Sequence, residues 1–199
     1  MIGFIRGRLA SKQPPLLVVD VNGIGYEIEA PMSTFYVLPG VGGEITLVTH
    51  LLVREDAQIL FGFSTEAERR LFRDLIRISG VGAKMALAIL SGISVEGFVR
   101  CVQSEDTATL IKVPGVGKKT AERLIVEMRD RIDKGGVTIP SGAPAGTETG
   151  PAPATEAQNA LVALGYRPAE ALRLLAAVDT RELETEEIIR RALQNIAPR

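Results

Sequence analysis

The chain has little of the chemistry on which many enzymes and metalloproteins depend. Its 199 residues include one cysteine, Cys101, one histidine, His50, and no tryptophan. A single cysteine excludes an internal disulfide and a cysteine-rich metal site, and we expect Cys101 to be a small buried apolar residue. His50 lies in a strand pattern, so we interpret it as structural. No Ser/His/Asp catalytic set can be assigned, and no metal or cofactor site is expected.

Long apolar runs and an overall basic charge are also missing. No stretch approaches the roughly 20 apolar residues that cross a bilayer, and Met1–Phe4 lacks the basic-then-apolar start of a signal peptide, so we expect a cytoplasmic protein. The net charge of −1 argues against a generally basic nucleic-acid binder. Residues 64–134 nevertheless hold 13 Lys and Arg against 10 Asp and Glu. This local positive excess predicts a focused contact with nucleic acid.

The sequence does contain an internal repeat with an offset of thirty-five positions. Residues 75–86 read LIRISGVGAKMA, and residues 110–121 read LIKVPGVGKKTA. Such a repeat means that one supersecondary unit is used twice. Each copy predicts an apolar helix, a Gly-Val-Gly turn with the valine plugging the gap between helices, and a second helix that starts at once. The pattern resembles the helix-hairpin-helix motif.

The start of each second helix is a candidate phosphate site. The first N–H groups of a helix have no intrahelical partner, and they lie at the positive end of its dipole. Lysine in that first turn opposes the dipole, so helix stability does not explain it, whereas a bound phosphate does. The alternatives are a tight turn with solvated lysines, and a surface pair between Arg123 and Glu127. The candidate DNA contacts are Gly80, Val81, Gly82, Lys84, Gly115, Val116, Gly117, Lys118, Lys119 and Arg123.

The chain divides into four predicted regions, which make it a multidomain α+β protein. Residues 1–63 predict about five short strands and an OB-fold barrel, with an SH3-like barrel as the alternative. Residues 64–134 predict an all-α tandem helix-hairpin-helix domain. Residues 135–153 are rich in Gly and Pro and predict a flexible linker. Residues 154–199 predict a three-helix bundle similar to ubiquitin-associated modules.

Local signals within these regions are specific enough to test. Asn22-Gly23 is a strong hairpin signal, and Thr65 with Glu68 predicts a capping box. Ser94 and Ser104 are predicted to cap two short helices. The predicted core of the last module consists of Leu161, Leu164, Leu172, Leu174, Leu175, Ile188, Ile189 and Leu193.

One phosphate motif can be excluded by its spacing. Residues 115–120 read GVGKKT, but the P-loop of nucleotide hydrolases needs G-x-x-x-x-G-K followed by Ser or Thr. Neither Lys118 nor Lys119 meets that requirement, so we expect no ATPase site.

Three further segments carry a resemblance that covers the whole chain. They are VREDAQ at 53–58, AILSG at 88–92 and PGVGKKTAERL at 114–124. With the order of barrel, tandem hairpins, linker and small bundle, the chain resembles the RuvA family, the Holliday-junction-binding subunits of bacterial branch-migration complexes. The resemblance implies a non-catalytic subunit that holds a four-way junction open and square during recombination and repair.

The same resemblance implies partners and further site residues. It implies a homotetramer, or paired tetramers, with Glu55 and Asp56 gathered at the centre as an acidic pin; from the residues alone they are a polar hairpin tip. It also implies that the last module docks onto RuvB, a hexameric ATPase, and that the RuvC resolvase is a further partner. Candidate contacts for the ATPase are Leu161, Leu164, Tyr166 and Leu193.

Two other functions remain open from the sequence. Residues 114–121 also resemble the hairpin of base-excision glycosylase/lyases, in which a lysine at the position of Lys119 attacks an abasic sugar. Those enzymes continue with a further Gly/Pro loop and an aspartate in a longer helical domain, whereas here residues 124–128 run into the linker and no such loop appears. A generic duplex-binding architectural protein is the third reading, and it predicts no preference for branched DNA.

Overall fold

The computed structural model describes residues 1–133, 153–178 and 183–194. These residues fall into two compact units, one containing 1–133 and the other containing 153–178 and 183–194. The predicted linker 135–153 lies outside the described residues, apart from Pro153. The strands are β1 (Phe4–Gln13), β2 (Leu16–Val21), β3 (Ile24–Glu29), β4 (Glu44–Val53) and β5 (Gln58–Phe63). The helices are α1 (Met32–Val37), α2 (Glu66–Leu75), α3 (Ala83–Gly92), α4 (Val95–Gln103), α5 (Thr107–Ile111), α6 (Lys118–Asp133), α7 (Pro153–Ala163), α8 (Pro168–Ala176) and α9 (Thr185–Gln194).

The five strands form a closed barrel in the order β1-β2-β3-β5-β4. All neighbours are antiparallel except β3 and β5, which pair in parallel. This is the OB-fold topology, so the OB-fold prediction is confirmed and the SH3-like alternative is wrong. The hairpin predicted at Asn22-Gly23 is present: both residues have positive φ, and Gly23 N–H donates to the Asp20 carboxylate at 2.7 Å.

Helix starts follow the predicted caps in part. Thr65 and Glu68 form the expected capping box, and Ser94 accepts a hydrogen bond from Gly97 N–H. Ser104 was wrongly predicted: it closes α4, and the cap of α5 is the Asp106 carboxylate, which accepts from Thr109 N–H at 3.0 Å. Helix α1 was not predicted, because its six residues carry no side-chain cap and no clear period.

The ribbon formed by β4 and β5 beyond the barrel is shared by two hydrophobic cores. Val48 of β4 is the last residue in the β1–β4 ladder, and Thr49 N–H still donates to Gly3 C=O just before β1. Residues 50–53 therefore pair with β5 alone. Leu51 and Leu60 pack in the barrel core, whereas Leu52, Ile59, Phe61 and Phe63 pack in the core of the helices. Because side chains alternate across a strand, each face of the ribbon belongs to a different core. The ribbon is therefore held between barrel and helices.

The second unit is a small three-helix bundle. Its buried residues are Ala157, Leu161, Ala171, Leu175, Ile188 and Ala192. Leu164 and Leu172, which were predicted as core, are 64% and 54% exposed. The buried alanines Ala157, Ala171 and Ala192 were not among the predicted core residues.

Candidate nucleic-acid interface

The first hairpin joins α2 to α3 through a turn that only glycine adopts easily. Ile78 N–H donates to Leu75 C=O, and Val81 N–H donates to Ile78 C=O, both at 3.0 Å. Gly80 has φ +86°, in the left-handed region that a side chain disfavours. Val81 is 5% exposed and packs between the helices. The turn thus buries its valine and leaves Gly80 and Gly82 at the surface.

The second hairpin, between α5 and α6, repeats this geometry bond for bond. Val113 N–H donates to Leu110 C=O at 3.1 Å, and Val116 N–H donates to Val113 C=O at 3.0 Å. Gly115 has φ +87°, and Val116 is 5% exposed. Each of these values matches the residue thirty-five positions earlier. The sequence repeat is therefore a structural repeat.

The last glycine of each turn is not explained by the protein's own packing. Gly82 has φ −87°, which any residue adopts, and a Cβ built on Gly82 or Gly117 would meet nothing within 4 Å. Gly82 is also the N-cap of α3 and offers no side-chain cap, unlike Thr65, Ser94 and Asp106 at other helices. The helix N–H groups therefore face open solvent across a surface that another backbone can approach closely. A phosphate is the group that fits such a surface.

The predicted cations surround these turns. Lys84, Lys118 and Lys119 are exposed in the first turns of α3 and α6. The Arg123 guanidinium does not pair with Glu127; its Nη1 donates to Ser79 C=O at 2.9 Å. This bond links the helix of the second hairpin to the turn of the first. A cleft of 110 Å³ lies between them, lined by Ser79, Gly80, Lys119, Thr120 and Arg123.

The predicted acidic pair stands at the tip of the β4–β5 ribbon. Arg54 N–H donates to Ala57 C=O at 2.8 Å and closes the tip. Glu55 and Asp56 are exposed, and within the described residues neither carboxylate has an ion-pair partner. Their charge is thus presented to solvent rather than neutralised by the fold.

The junction between barrel and helices contains polar residues that the sequence did not reveal as important. The buried Glu68 carboxylate accepts from Ser33 Oγ at 2.5 Å and Ser64 Oγ at 2.7 Å, which ties α2 to α1 and to the end of β5. Arg69 Nη1 donates to Gly3 C=O at 2.9 Å and to Thr49 C=O at 3.2 Å. The only sequence signal for this role is the spacing of Arg69 and Arg73, four residues apart on one side of α2.

His50 forms another contact between the ribbon and α2. Its Nδ1 accepts from Arg73 Nε at 3.3 Å, and its ring meets Phe72 edge-on at 5.6 Å. Burial lowers the pKa of His50 below its ordinary value, and the nearby cations Arg73, Arg69 and Arg77 lower it further. The hydrogen bond and the ring contact give His50 a structural place between two elements, which agrees with its interpretation from the sequence.

The residues predicted to contact a partner through the last module differ in exposure. Leu161 is fully buried in the bundle core, and Tyr166 and Leu193 are half-buried against it. Leu164 is the most exposed of the four. Leu172 and Val162 add further exposed apolar surface.

The described residues contain neither a group of side chains placed for a metal ion nor a single helix of membrane-spanning length and apolarity. Within them no group of three or more His, Cys, Asp or Glu side chains is placed to hold a metal ion. In the same residues no single helix is long and apolar enough to cross a membrane; α3 and α4 reach that length and apolarity only together, with a bend of 96° between them.

Comparison with known proteins finds related sequences along the whole chain. Family models match residues 1–62 (RuvA N terminal domain), 72–130 (SAM-like Helix-hairpin-helix tandem) and 152–197 (RuvA, C-terminal domain). A protein of Thioalkalivibrio sulfidiphilus is 57% identical over 197 residues, which cover 98% of each chain. One of Methylococcus capsulatus is 58% identical over 201 residues, again 98% of each chain. One of Nitrosococcus oceani is 57% identical over 202 residues, 98% of this chain and all of the relative. Each is named Holliday junction branch migration complex subunit RuvA.

Proposed function

The chain belongs to the RuvA family, and from this premise we propose that it binds Holliday (four-way) junction DNA without reading base sequence. It serves as the DNA-binding subunit of a branch-migration complex in recombination and repair. The observation that carries the proposal is the pair of hairpins, which repeat bond for bond and each end in a glycine that the fold itself does not need.

The hairpins hold the DNA backbone. The exposed N–H groups near Gly82 and Gly117 bind phosphate oxygens, and Lys84, Lys118 and Lys119 add positive charge. Contacts to phosphate position DNA but carry no sequence information. Affinity therefore falls with salt, with a log–log slope of about −0.9 for each phosphate that is neutralised.

The acidic tip keeps the strands apart at the crossover. Unpaired carboxylates at Glu55 and Asp56 repel phosphates, so strands are excluded from the tip and ordinary duplex is disfavoured across it. The geometry of the ribbon supports this role, since the tip projects beyond the part of β4 that pairs with β1.

The working form is a homotetramer, alone or as paired tetramers. A four-way junction has four arms, and a fourfold ring offers each arm the same hairpins. The barrel exposes large apolar side chains, among them Phe4, Ile24 and Tyr36, which a subunit interface would bury.

The second unit recruits the motor. It docks onto RuvB, the hexameric ATPase, and Leu164 is the contact that its exposure best supports. RuvC resolvase is a further partner of the junction-bound complex. In this scheme the chain itself has no catalytic site, and it works in the cytoplasm. The relatives are named as subunits of a complex, which supports a non-catalytic role.

The glycosylase/lyase alternative is not favoured. The relatives are named for branch migration, and Lys119 is exposed, whereas a nucleophilic lysine is commonly activated by desolvation in an apolar pocket. Borohydride trapping on abasic DNA tests the point directly, because a covalent adduct lost in Lys119→Ala would restore that alternative.

A competition gel shift tests the proposed function. Labelled four-way junction is challenged with excess linear duplex of the same sequence across a salt series. We expect junction binding to persist. We expect the Glu55→Gln/Asp56→Asn variant to let duplex compete at least about tenfold better, since a bound duplex would no longer be repelled by these two exposed carboxylates. The control is Glu27→Gln/Glu44→Gln, which removes two exposed carboxylates elsewhere on the barrel. Equal competition by duplex in the wild type would leave only a generic duplex binder.

A further inference from the structure

Arg69 occupies the point at which the first strand and the ribbon separate. The last pair of the β1–β4 ladder is Phe4 with Val48, and the next residues are Gly3 and Thr49. Thr49 N–H still donates to Gly3 C=O at 2.9 Å, and Thr49 Oγ1 donates to Ile2 C=O at 2.8 Å. Arg69 Nη1 then donates to both carbonyls, Gly3 and Thr49. One guanidinium from α2 therefore joins the N-terminal segment, the ribbon and the first helix of the hairpin domain.

The remaining donors of Arg69 show that its side chain is fixed in this position. Nη2 pairs with Glu66 at 2.5 Å, and Nε is buried without a hydrogen-bond partner among the described residues. The side chain is 16% exposed, whereas that of the adjacent Arg70 is 53% exposed and also pairs with Glu66. Burying a charged group with one donor unsatisfied is unfavourable, so its two carbonyl contacts must matter to the fold at this point.

Helix α2 contacts the part of the ribbon that leads to the acidic tip. Residues 49–53 lie beyond the β1–β4 ladder and are supported on one side by α2, through Arg69, through the pair of Arg73 with His50, and through Phe72. Phe72 also packs against Phe61 of β5 at 4.8 Å between ring centres. Helix α2 leads at its other end directly into the first phosphate-binding turn.

We propose that Arg69 is a positioning residue that fixes the acidic tip relative to the two phosphate-binding hairpins, and so sets how strongly the protein prefers a four-way junction to linear duplex. The inference rests on the proposed function and adds to it a determinant of specificity that touches no DNA. With Arg69 in place, the carboxylates of the acidic tip are held at a fixed distance from the phosphate sites of the hairpins. Without Arg69 the ribbon keeps its apolar contacts with the helices but loses this polar attachment. The tip then shifts, and the repulsion no longer falls on the crossover.

The test compares Arg69→Met with Arg70→Met. Both variants remove one arginine from α2 and one partner from Glu66, but only the first removes the bonds to Gly3 and Thr49. The ratio of junction to duplex dissociation constants is measured at fixed salt. We expect the preference for junction to fall in Arg69→Met by up to the roughly tenfold expected for Glu55→Gln/Asp56→Asn, because the carboxylates are no longer held over the crossover. In Arg70→Met we expect it to stay within about twofold. A role in stability alone lowers both affinities together and leaves the ratio unchanged.

A second readout needs no DNA. Amide hydrogen exchange should become faster in residues 50–53 and 58–61 of Arg69→Met and stay unchanged in the hairpin turns at 80–86 and 115–121. Should Arg69→Met not fold, Arg69→Lys replaces it, since one ammonium retains the charge but not the planar fork, and an intermediate ratio is expected. A wild-type ratio together with wild-type exchange in the folded variant overturns the proposal. Absence of junction preference in the wild type overturns the proposed function instead, and the exchange experiment then decides the role of Arg69 alone.

Discussion

At the scale of single residues, the two glycines of each hairpin turn are needed for different physical reasons. Gly80 and Gly115 are in the left-handed region, so the turn itself requires them. Gly82 and Gly117 face open space, so only the close approach of a ligand would require glycine at these positions. The Gly-Val-Gly pattern could be read from the sequence as a turn, but the separation of these two reasons needed the dihedral angles.

This difference gives a prediction with an internal control. Gly80→Ala should lower the free energy of unfolding by about 1 kcal/mol, because alanine is strained at positive φ. Gly82→Ala should change stability by less than about 0.5 kcal/mol, because the lower entropy of the unfolded chain is opposed by the poorer N-cap propensity of alanine. It should nevertheless weaken junction binding about tenfold by blocking one charge-assisted hydrogen bond to phosphate. Urea unfolding and gel shifts on both variants measure the two effects. Undiminished junction affinity in a folded Gly82→Ala protein would argue against phosphate binding at this helix.

Contacts between residues far apart in the chain were the part of the site that the sequence could not show. Arg123 and Ser79 are 44 positions apart, and Arg69 and Gly3 are 66 apart. Their spacing along a helix marks them only as surface cations, because the partner in each case is a backbone carbonyl and every residue has one. The pairing is decided by how α6 and α2 pack.

At the scale of elements, strong local patterns were predictive and short or marginal ones were not. The strands, the Asn22-Gly23 hairpin and the Thr65–Glu68 box follow from alternation and capping chemistry, and the structure confirms them. The cap of α5 was misplaced, since Glu105 takes φ +54° and turns the chain so that Asp106 begins the helix. The predicted boundary between residues 63 and 64 follows the change from strand to helix pattern, which does not reveal that the last strand packs on both sides.

The contact of β4 with α2 predicts a pH dependence of stability. The folded-state pKa of His50 lies below its ordinary 6.5, so the unfolded chain binds the proton first as the pH falls. The stabilisation from neutral His50 is therefore complete above pH 6.5 and is lost towards the folded-state pKa, at up to about 1.4 kcal/mol per pH unit.

The measurement compares wild type with His50→Asn, whose amide oxygen can still accept from Arg73. Urea unfolding is followed between pH 5.5 and 7.5. We expect the difference in unfolding free energy between the two proteins to change across this interval, with the wild type losing stability as the pH falls. Other titrating groups contribute equally to both proteins, and His50 is the sole histidine of the chain, so parallel curves would contradict the assignment.

At the scale of the whole molecule, the two units divide the proposed work between DNA and motor. The first unit contains the hairpins and the acidic tip, and the second contains the exposed leucine that we assign to the ATPase. The order of these parts was predicted because each has its own composition and period. The exposure of Leu164 and Leu172 was not, since a leucine at helical spacing looks the same on either side of a small bundle.

The division predicts opposite results for two leucines of the second unit. Leu161→Ala should destabilise the bundle by about 3 kcal/mol, as expected for a buried leucine. Leu164→Ala should leave the bundle folded and weaken binding of the full-length protein to RuvB at least about fivefold, as an exposed apolar contact would. Circular dichroism and a binding titration measure the two effects, with the exposed Leu172→Ala as the matched control. Unchanged RuvB binding in Leu164→Ala would remove this residue from the interface.

The shared ribbon also bears on how such a protein can be taken apart or exchanged. Ile59, Phe61 and Phe63 belong to the core of the helices although they are barrel residues by topology. A gene fragment ending near residue 63 would produce a barrel with three apolar side chains stripped of their neighbours, and the complementary fragment would lack part of its interior. The barrel and the hairpins therefore form one structural unit. A domain exchange that replaces either without the other must also redesign the strand between them.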